Sequence, residues 1–596
     1  MSQFIKQTFA SIIGTIAGLL ILLTLGGGGL VFILLSSLSS SEEPKIQDKS
    51  ILVFDLSTQI RDSQTISSVQ QILAGEAQNN IALRQVLQSI DAAAEDKRIV
   101  GLFLDGSKGA GDNGYATMAE VRQALDKFRA TGKQIIAYDV DWSEKEYYLA
   151  SVADKILLNP MGMIEFNGFS SRQVFLKEAL DKYGIGVQVV RVGDYKSAVE
   201  PFIRQNFSPE NRQQTEALLT DLWQKFLVTV GTSRQLSAQE LQQIANEQGF
   251  IESEEAKKIG LIDEVAYLDN VTTQLQKLTE QSNSAQSSVR TIDLKTYIKE
   301  SGALKNNVSR NKIAVVYAEG SIVGGKGNIE QIGSDRFVQE FAKLREDKTI
   351  KGIVVRVNSP GGSATASEII LREILLTKKE KPVVVSMGNV AASGGYWISA
   401  GADQIFAEEN TITGSIGVFG LLPNFQELGN NHGISWDVVK TGEFSDIDSP
   451  YRPKSDQELA IYQKAVAQVY RLFLNKVSEY RNLPAQKVQE IAQGKVWSGK
   501  EAVKIGLVDQ IGGLESAIAY VAEQAELGQD WQIQEYPQQR NWEEEIMERL
   551  VAEEAIQPQD KITTELLKLK KELAVFQALN DPRNIYARMP FNFNFD

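Results

Sequence analysis

The sequence predicts an α/β protein that contains two copies of one unit, each with a mostly parallel sheet. Short β-branched runs alternate along the chain with longer amphipathic segments. Residues 353–357 (Ile-Val-Val-Arg-Val) and 383–385 (Val-Val-Val), for example, predict buried strands, and residues 369–376 between them predict a helix. A strand–helix–strand order of this kind implies right-handed crossovers and a parallel sheet.

Three sequence matches in the same order indicate a tandem duplication. The first two matches have an offset of 249 residues, and the third, EEAKKIGLID with KEAVKIGLVD, has an offset of 246 residues. A nearly constant offset over three separate matches is typical of an internal repeat. The matched pairs are 147–156 with 396–405, 190–201 with 439–450, and 254–263 with 500–509.

The chain divides into five predicted parts. The boundary between the copies is placed at the polar, Ser- and Gln-rich stretch 281–288. The C-terminal part is charged and has Leu566, Leu569, Leu573 and Phe576 on one stripe, which predicts an amphipathic helix packed on its own domain or on a neighbouring subunit. The parts are a membrane anchor (1–48), the first repeat (49–280), a linker (281–292), the second repeat (293–540) and a helical tail (541–596).

The N-terminal segment predicts a single transmembrane helix. Residues 7–41 contain no charged side chain, and residues 12–35 exceed the roughly 20 apolar residues that a bilayer core needs. Lys6 precedes this stretch, whereas Glu42 and Glu43 follow it, which favours an N-terminus on the inside. A cleaved signal peptide is the alternative. The expected location is the bacterial cytoplasmic membrane with the bulk of the chain outside, or else a thylakoid membrane.

The composition excludes several kinds of site. The chain has no cysteine and one histidine, His432, so thiolate nucleophiles and Cys- or His-rich metal sites are excluded. The context of His432, Asn-His-Gly, is typical of a turn, and an enzymatic base would therefore be Lys, Asp or Glu. A net charge of −14 without a strongly basic block argues against nucleic-acid binding. We expect no cofactor.

Two glycine-containing turns follow predicted strands of the second copy. Residues 358–363 (Asn-Ser-Pro-Gly-Gly-Ser) could present backbone N–H groups to an oxyanion, or could form an ordinary turn. Residues 391–397 (Ala-Ala-Ser-Gly-Gly-Tyr-Trp) place Ser393 at the start of a helix, where its hydroxyl could be a nucleophile or an N-cap. Taken singly, neither turn decides between its alternatives.

A comparison of the copies favours the catalytic alternatives. At an offset of 249 residues, Ser393 corresponds to Glu144 of the first copy, which lacks the small-residue turn. Conversely, Lys196 of the first copy corresponds to Ser445 of the second. Each copy thus retains one candidate catalytic side chain and lacks the other, as expected if both contribute to one composite site.

Three motifs resemble a known family. Residues 191–202 (RVGDYKSAVEPF), 391–397 and 413–417 (TGSIG) are similar to the long, duplicated form of the signal peptide peptidase A family, also called protease IV. The resemblance covers nearly the whole chain. It implies tandem ClpP/crotonase-like α/β domains, an N-terminal transmembrane helix and a membrane-anchored homotetramer.

The resemblance also implies residue roles. Ser393 would be the nucleophile and Lys196 the general base, with Ser415 holding the lysine amine by a hydrogen bond. The oxyanion hole would consist of backbone N–H groups, one at Gly361 or Gly362 and one at Gly394.

A lysine that acts as a general base needs surroundings that lower its pKa. Lysine accepts a proton only when neutral, and its ordinary pKa of about 10.4 must therefore fall by roughly 2–3 units for activity near neutral pH. Burial among neutral groups lowers the pKa, whereas an ion pair opposes the shift. We therefore expect that neither Asp194 nor Glu200 contacts the amine of Lys196.

The predicted function is that of a membrane-anchored serine endopeptidase that degrades cleaved signal peptides, as the family implies. Its expected partners are hydrophobic peptides, membrane lipid around the N-terminal helix and three further copies of the chain. Two alternatives stay open. The first is an enzyme of acyl-CoA chemistry, since crotonases share the fold; the second is a non-catalytic membrane scaffold.

Overall fold

The computed structural model describes residues 45–63, 80–281, 288–302, 309–328, 330–537, 581 and 583–589. The predicted transmembrane helix lies outside these residues. Within the described ranges, no helix is both long enough and apolar enough to cross a membrane.

The first copy is an α/β unit around a parallel sheet, which confirms the prediction. Its strands are β1 (Ser50–Asp55), β2 (Gln59–Arg61), β3 (Asn80–Ala82), β4 (Ile99–Asp105), β5 (Gln134–Asp139), β6 (Lys155–Leu158), β7 (Met163–Phe166), β8 (Gly186–Val192), β9 (Gly249–Glu252), β10 (Glu264–Val265) and β11 (Thr291–Asp293). Six of them form a fully parallel sheet in the order β10-β6-β5-β4-β1-β11.

The first copy contains ten α-helices among its described residues, several of which bury one apolar face in its core. They are α1 (Leu83–Glu95), α2 (Tyr115–Ala130), α3 (Glu144–Ala150), α4 (Lys177–Lys182), α5 (Glu200–Ile203), α6 (Pro209–Arg234), α7 (Ala238–Glu247), α8 (Ser253–Lys258), α9 (Leu268–Leu278) and α10 (Leu294–Ser301). In α1, for instance, Leu83, Val86, Leu87 and Ile90 are buried at helical spacing.

The second copy repeats the arrangement. Its strands are β12 (Lys312–Glu319), β13 (Ser321–Val323), β14 (Gln331–Gly333), β15 (Ile350–Ser359), β16 (Gly361–Ser363), β17 (Val383–Ala392), β18 (Gln404–Ala407), β19 (Ile412–Gly414), β20 (Val418–Asn424), β21 (Val496–Ser498), β22 (Gln510–Ile511), β23 (Gln532–Tyr536) and β24 (Ile585–Arg588). Its helices are α11 (Ser334–Glu346), α12 (Ala364–Lys378), α13 (Gly394–Ser399), α14 (Gln426–Asn431), α15 (Asp456–Tyr480), α16 (Ala485–Ile491), α17 (Gly499–Ile505) and α18 (Leu514–Gln524).

The central sheet of the second copy has the order β21-β19-β17-β15-β12-β23, with β18 also paired to β17. The strands β12, β15, β17 and β18 are parallel neighbours, as β1, β4, β5 and β6 are in the first copy. The predicted strands at 353–357 and 383–385 lie inside β15 and β17, with α12 between them. Both sheets therefore have the architecture that the duplicated sequence predicts.

The predicted boundary between the copies is wrong for residues 291–301. Strand β11 spans the predicted end of the linker at residue 292 and the predicted start of the second repeat at residue 293. It nevertheless pairs in parallel with β1 of the first copy, with Leu52 opposite Ile292. Helix α10 then buries Leu294 and Tyr297 in the core of the first copy. The apolar residues of this segment fill the open edge of the first sheet, so the first copy extends to about residue 301. Strand β23 takes the equivalent place beside β12.

The prediction of a helical tail over 541–596 is also wrong at its end. The stripe from Leu566 to Phe576 lies outside the described residues, but Ile585–Arg588 form a strand. This strand, β24, pairs antiparallel with β16 and with β20. The edges of β16 and β20 thus bind the C-terminal segment, and pairing with them holds residues 585–588 in an extended conformation.

A third sheet joins the two copies. Its order is β14-β13-β16-β24-β20-β8, in which β8 belongs to the first copy and the other strands to the second. Strand β8 pairs antiparallel with β20 over seven residue pairs, from Val192 opposite Val418 to Gly186 opposite Asn424. The segment that follows β8 is thereby fixed against the second copy.

A buried ionic cluster also joins the copies. Arg356 of β15 is fully buried; its Nε lies 2.7 Å from Asp62 Oδ1 and its Nη2 lies 2.6 Å from Glu120 Oε1. Both carboxylates belong to the first copy. Glu120 also accepts a hydrogen bond from the backbone N–H of Leu514 at 2.6 Å. Arg356 therefore has its two carboxylate partners only while the two copies are in contact.

The Arg356 cluster predicts a stability effect. The substitution Arg356→Met keeps the volume but leaves two buried carboxylates without their counter-charge, and we expect it to lower the free energy of unfolding by about 3–5 kcal/mol. Urea unfolding followed by circular dichroism measures this. The control is Arg98→Met, which removes a partly exposed ion pair with Asp96 and should cost about 1 kcal/mol or less. Equal effects of the two substitutions would contradict a structural role for the cluster.

Candidate active site

Ser393 lies at a sharp strand-to-helix turn. It follows the last residue of β17 and precedes the first residue of α13, with φ 57° and ψ −111°. A positive φ is costly for a residue with a side chain, by about 1–3 kcal/mol. The backbone is held there because Ser393 N–H donates to Gly414 O at 2.8 Å and Trp397 N–H donates to Ser393 O at 2.8 Å. Strained backbone of this kind is typical of functional sites, which makes the hydroxyl of Ser393 a candidate functional group.

Lys196 reaches the second copy from the end of β8. Tyr195 N–H donates to Gln493 O at 2.9 Å, which ties the turn after β8 to the loop before β21. The backbones approach closely here, because a Cβ placed on Gly494 would lie 2.7 Å from Lys196 Cα. The side chain of Lys196 is completely buried. Glycine at position 494 therefore permits the approach that buries the lysine.

The structure brings Lys196, Ser393 and Ser415 together. Lys196 Nζ lies 2.8 Å from Ser393 Oγ, 3.0 Å from Ser415 Oγ and 3.0 Å from the backbone oxygen of Ser415. A neutral amine has two N–H donors and one lone pair. The two oxygens of Ser415 can accept the two N–H groups, so the lone pair is left for the hydroxyl proton of Ser393. The geometry therefore allows a neutral lysine to accept the hydroxyl proton of Ser393.

The electrostatic surroundings favour the same protonation state. Burial lowers the pKa of Lys196 well below its ordinary value, since charging the amine would require a desolvated ammonium. The ion pairs among the described residues include none with Lys196. Glu200 is buried but turned to other partners, accepting from Asn211 Nδ2 at 2.9 Å and from Ser208 N–H at 3.2 Å. Neither Glu200 nor Asp194 hydrogen-bonds to the amine, as the sequence predicts.

The glycine turn of the second copy lies beside Ser393. A Cβ placed on Gly361, whose φ is +93°, would lie 2.6 Å from Gly394 N. The N–H of Gly361 donates to Ser359 Oγ at 3.1 Å. The N–H of Gly361 is thus engaged within its own turn. Gly394 begins α13, where the first N–H groups have no acceptor within the helix.

The counterparts of the dyad in the other copy have different environments. Glu144, at the position of Ser393, accepts hydrogen bonds from Asn167 N–H at 2.7 Å and Gly168 N–H at 2.8 Å. Burial raises the pKa of Glu144 to about 7. Ser445, at the position of Lys196, is exposed and hydrogen-bonds only locally, to Gly442. The structure therefore assembles one serine–lysine pair from two halves.

Sequence reasoning missed several residues of this site. Gln214 of α6 donates to Tyr195 O and to Ser197 Oγ, both at 3.0 Å, and so holds the turn that carries Lys196. Ser359 and Gly494 had no separate signal, because their roles depend on segments far away in the chain. Strand β24 could have been found, since Ile-Tyr-Ala-Arg after a turn-forming Asp-Pro-Arg-Asn is typical of a short strand.

Comparisons with known proteins agree with the fold. A family model described as Peptidase family S49 matches residues 127–282 and 376–528, one stretch in each copy. A second model, described as Clp protease, matches residues 305–412.

Three relatives illustrate the similarity. Protease 4 of Salmonella typhi is 35% identical over 522 residues, which cover 85% of this chain and 83% of the relative. Serine protease SPPA, chloroplastic, of Arabidopsis thaliana is 32% identical over 492 residues, or 81% of this chain and 70% of the relative. A putative signal peptide peptidase SppA of Enterococcus faecium is 39% identical over 220 residues, or 36% of this chain and 64% of the relative.

The duplicated fold, the serine at a strand-to-helix turn and these relatives together define the class of the chain, which is a serine protease. More particularly, the chain belongs to peptidase family S49, with the family's domain present in both copies.

Lys196 predicts an unusual dependence of stability on pH. Because its pKa is lowered in the folded chain, the unfolded chain binds a proton that the folded chain does not, from the folded pKa up to about 10.4. The free energy of unfolding therefore rises with pH in that window. Relative to the wild type, Lys196→Met should stabilise the protein more at pH 7 than at pH 10. Urea midpoints at both pH values measure this.

The control for this measurement is Lys258→Met, at a lysine whose side chain is 75% exposed. Its effect should be the same at pH 7 and pH 10. If the difference between Lys196→Met and the wild type did not change with pH, the lysine would not be the neutral group that its burial requires.

Proposed function

We propose that the chain is an endopeptidase in which Ser393 is the nucleophile and Lys196 the general base, and that it degrades cleaved signal peptides. The observation that carries the proposal is the 2.8 Å contact between Lys196 Nζ and Ser393 Oγ, made by a fully buried lysine that has no ion pair among the described residues. A serine hydroxyl needs a neighbouring base to be a strong nucleophile, and a neutral lysine is such a base.

The geometry supports a two-step acyl transfer. Ser393 Oγ attacks the carbonyl carbon of a peptide bond while its proton moves to Lys196 Nζ. The oxyanion that forms is stabilised by the N–H groups of Gly362 and Gly394. The bond to nitrogen then breaks, and Lys196 gives the proton to the departing amine. A water molecule, deprotonated by Lys196, hydrolyses the acyl-enzyme and restores Ser393.

Ser415 positions the base during these steps. Its hydroxyl and its backbone oxygen are neutral acceptors for the two N–H groups of the amine. They orient the lone pair of Lys196 toward Ser393 without stabilising the ammonium as strongly as a carboxylate would. In this arrangement the amine of Lys196 is unprotonated before the reaction and can accept the proton of Ser393.

The proposed substrates and location follow from the apolar N-terminal segment and the family. Signal peptides are apolar and partition into membranes after they are cut from their preproteins. A transmembrane helix in residues 12–35 would hold the protease at the same surface. The Enterococcus faecium relative is named as a putative signal peptide peptidase. No cofactor enters the mechanism.

The proposed dyad predicts a specific pattern of activity. Ser393→Ala and Lys196→Ala should each reduce kcat/KM for a synthetic signal peptide by at least about 10³-fold, because each removes a member of one catalytic unit. Lys196→Arg should be equally inactive, since a guanidinium does not lose its proton near neutral pH. Mass spectrometry of the products measures the cleavage.

The control is His432→Ala, at an exposed residue of the turn after α14, which should retain full activity. Full activity of Ser393→Ala would exclude this site. If the wild-type protein bound acyl-CoA and cut no peptide, the result would favour an enzyme of acyl-CoA chemistry. If it formed oligomers but cut no peptide, the result would favour a non-catalytic scaffold.

We further propose that the protease is a homotetramer in which each chain contacts the next. At the offset of 249 residues, β8 corresponds to residues 435–441 and β20 corresponds to residues 169–175. Neither of these segments forms a strand. Val439 in the first of them is 98% exposed, and Trp436 is 36% exposed. The pairing of β8 with β20 can thus recur between residues 435–441 of one chain and residues 169–175 of the next.

Such a contact joins two different surfaces, so its repetition generates a ring or an open filament. The family resemblance implies closure at four copies. In this arrangement the exposed apolar side chains of residues 435–441 are covered by the neighbouring chain.

The proposed contact predicts the effect of a charge. Val439→Asp should convert the tetramer to smaller species, because the carboxylate would be desolvated in the interface. Light scattering after size-exclusion chromatography measures the mass. The matched control is Val228→Asp, at an exposed valine of α6. An unchanged mass for Val439→Asp would place the interface elsewhere.

A further inference from the structure

Helix α6 of the first copy packs against strand β21 of the second copy. Leu218 and Leu222 of the helix lie one turn apart and share an apolar cluster with Val496 of the strand. Ser498 Oγ of the strand donates a hydrogen bond to Asp221 Oδ2 of the helix at 2.9 Å. This contact is a junction between the copies that is separate from the pairing of β8 with β20.

The amide of Gln214 lies at the other end of this junction and is buried. Its Nε2 donates to Tyr195 O and to Ser197 Oγ, both at 3.0 Å, and these residues stand on either side of Lys196. Its Oε1 accepts from the backbone N–H of Val496 at 3.3 Å. One amide therefore ties the turn that carries the lysine to a strand of the other copy.

The same strand also determines where the acceptors of the lysine amine lie. The residue before Val496 is Lys495, whose backbone oxygen accepts a hydrogen bond from Ser415 N–H at 2.7 Å. Ser415 in turn presents two oxygens to Lys196 Nζ. The hydrogen bonds thus form a closed path. It runs from Gln214 through the turn to Lys196, from the amine to Ser415, and through residues 495 and 496 back to the amide.

Two completely buried side chains orient the amide of Gln214. Asn211 Oδ1 accepts from Gln214 Nε2 at 3.1 Å, and Asn211 Nδ2 donates to Glu200 Oε2 at 2.9 Å. If the amide were reversed, its oxygen would face the backbone oxygen of Tyr195, and neither atom has a hydrogen to donate. The surrounding groups therefore accept only one orientation of this amide.

The backbone is strained at two points of this path. Ser415 has a φ of 50° and Gln493 has a φ of 57°, a conformation that is uncommon for residues with a side chain. Ser415 carries the acceptors of the amine, and Gln493 O accepts from Tyr195 N–H at 2.9 Å. Strained residues persist only where surrounding contacts over-determine their conformation. The loss of one tie would therefore let these segments relax and move the amine.

We propose that Gln214 is a positioning residue for the general base, because its amide holds Lys196 Nζ where it can take the proton of Ser393. This inference rests on the proposed function. The amide acts through residues 195–197 and through β21, and it touches neither the substrate nor the reacting atoms. A misplacement of about 1 Å can cost on the order of 10²-fold in rate. Because α6 and β21 belong to different copies, the base is correctly placed only where the copies are packed at this junction.

The charged groups near the turn contact partners other than the amine. Glu200 faces Asn211, and Arg191 Nη1 donates to the backbone oxygen of Lys196 at 3.4 Å. Lys495 lies over aromatic rings, and Asp194 is exposed. A change in the acid limb of the pH profile therefore reports the surroundings of the amine itself.

The first test is Gln214→Met, which keeps the volume and removes the hydrogen bonds of the amide. We expect kcat for a synthetic signal peptide to fall about 10- to 100-fold and KM to stay within about twofold, because only the base is misplaced. A loosened turn also admits water to the amine, which raises the pKa of Lys196. The reaction needs the neutral amine, so the acid limb of kcat/KM should move upward by about one pH unit. Gln214→Glu adds a carboxylate near the amine and should move the limb further.

The matched control is Ser498→Ala. It cuts the bond to Asp221 at the other end of the same junction without changing a charge, and it also removes the N-cap of α17. We expect it to lower the urea midpoint but to leave kcat and the acid limb unchanged. If Gln214→Met does not fold, Ser197→Ala decides, because it removes one acceptor of the amide and should move the limb upward by a smaller amount.

Two results would overturn the inference. One is an acid limb that none of the variants at residues 197 and 214 moves, and the other is an equal shift in Ser498→Ala. Gln214 would then only help to pack the copies, and the proposed function would stand as long as Ser393→Ala abolishes cleavage. Absence of Ser393-dependent cleavage by the wild-type chain would overturn both.

Discussion

The pairing of β8 with β20 is the contact on which the rest of the site depends. Lys196 and Ser393 are 197 residues apart in the chain and belong to different copies of the repeat. Seven residue pairs between the two strands fix the end of β8, and the loop around Gly494 receives the turn that follows. Without this pairing, a long and flexible lysine would not stay in a buried position. The two copies therefore supply one residue each to the pair that we propose as the catalytic dyad.

The second constraint is electrostatic. A lysine can act as a base near neutral pH only if its surroundings disfavour the ammonium, and the structure meets this condition by placing two neutral oxygens of Ser415 at the amine. Carboxylates nearby are directed elsewhere, as Glu200 is toward Asn211. The charged groups that join the copies, Arg356 with Asp62 and Glu120, form a cluster of their own. Ion pairs of Arg356 thus join the two copies, whereas the hydrogen-bond partners of the Lys196 amine are neutral oxygens.

Pairing at strand edges explains how the two copies and the C-terminal segment are held together. An edge strand presents unpaired N–H and C=O groups that can accept a further strand. In this chain β20 pairs with β8 of the other copy, and β16 and β20 together hold β24.

The sequence by itself determined the duplicated parallel α/β architecture, because β-branched runs, helical periodicity and repeated motifs are local properties of the chain. It also singled out Ser393 and Lys196, since each copy lacks the residue that the other retains. The tertiary structure alone decided that β11 and α10 complete the first copy and that Ser359 Oγ accepts a hydrogen bond from the N–H of Gly361. It also decided that residues 585–588 form a strand beside Ser393. These outcomes depend on which distant edge or hydroxyl is free to form a hydrogen bond, and local sequence carries no information about a partner hundreds of residues away.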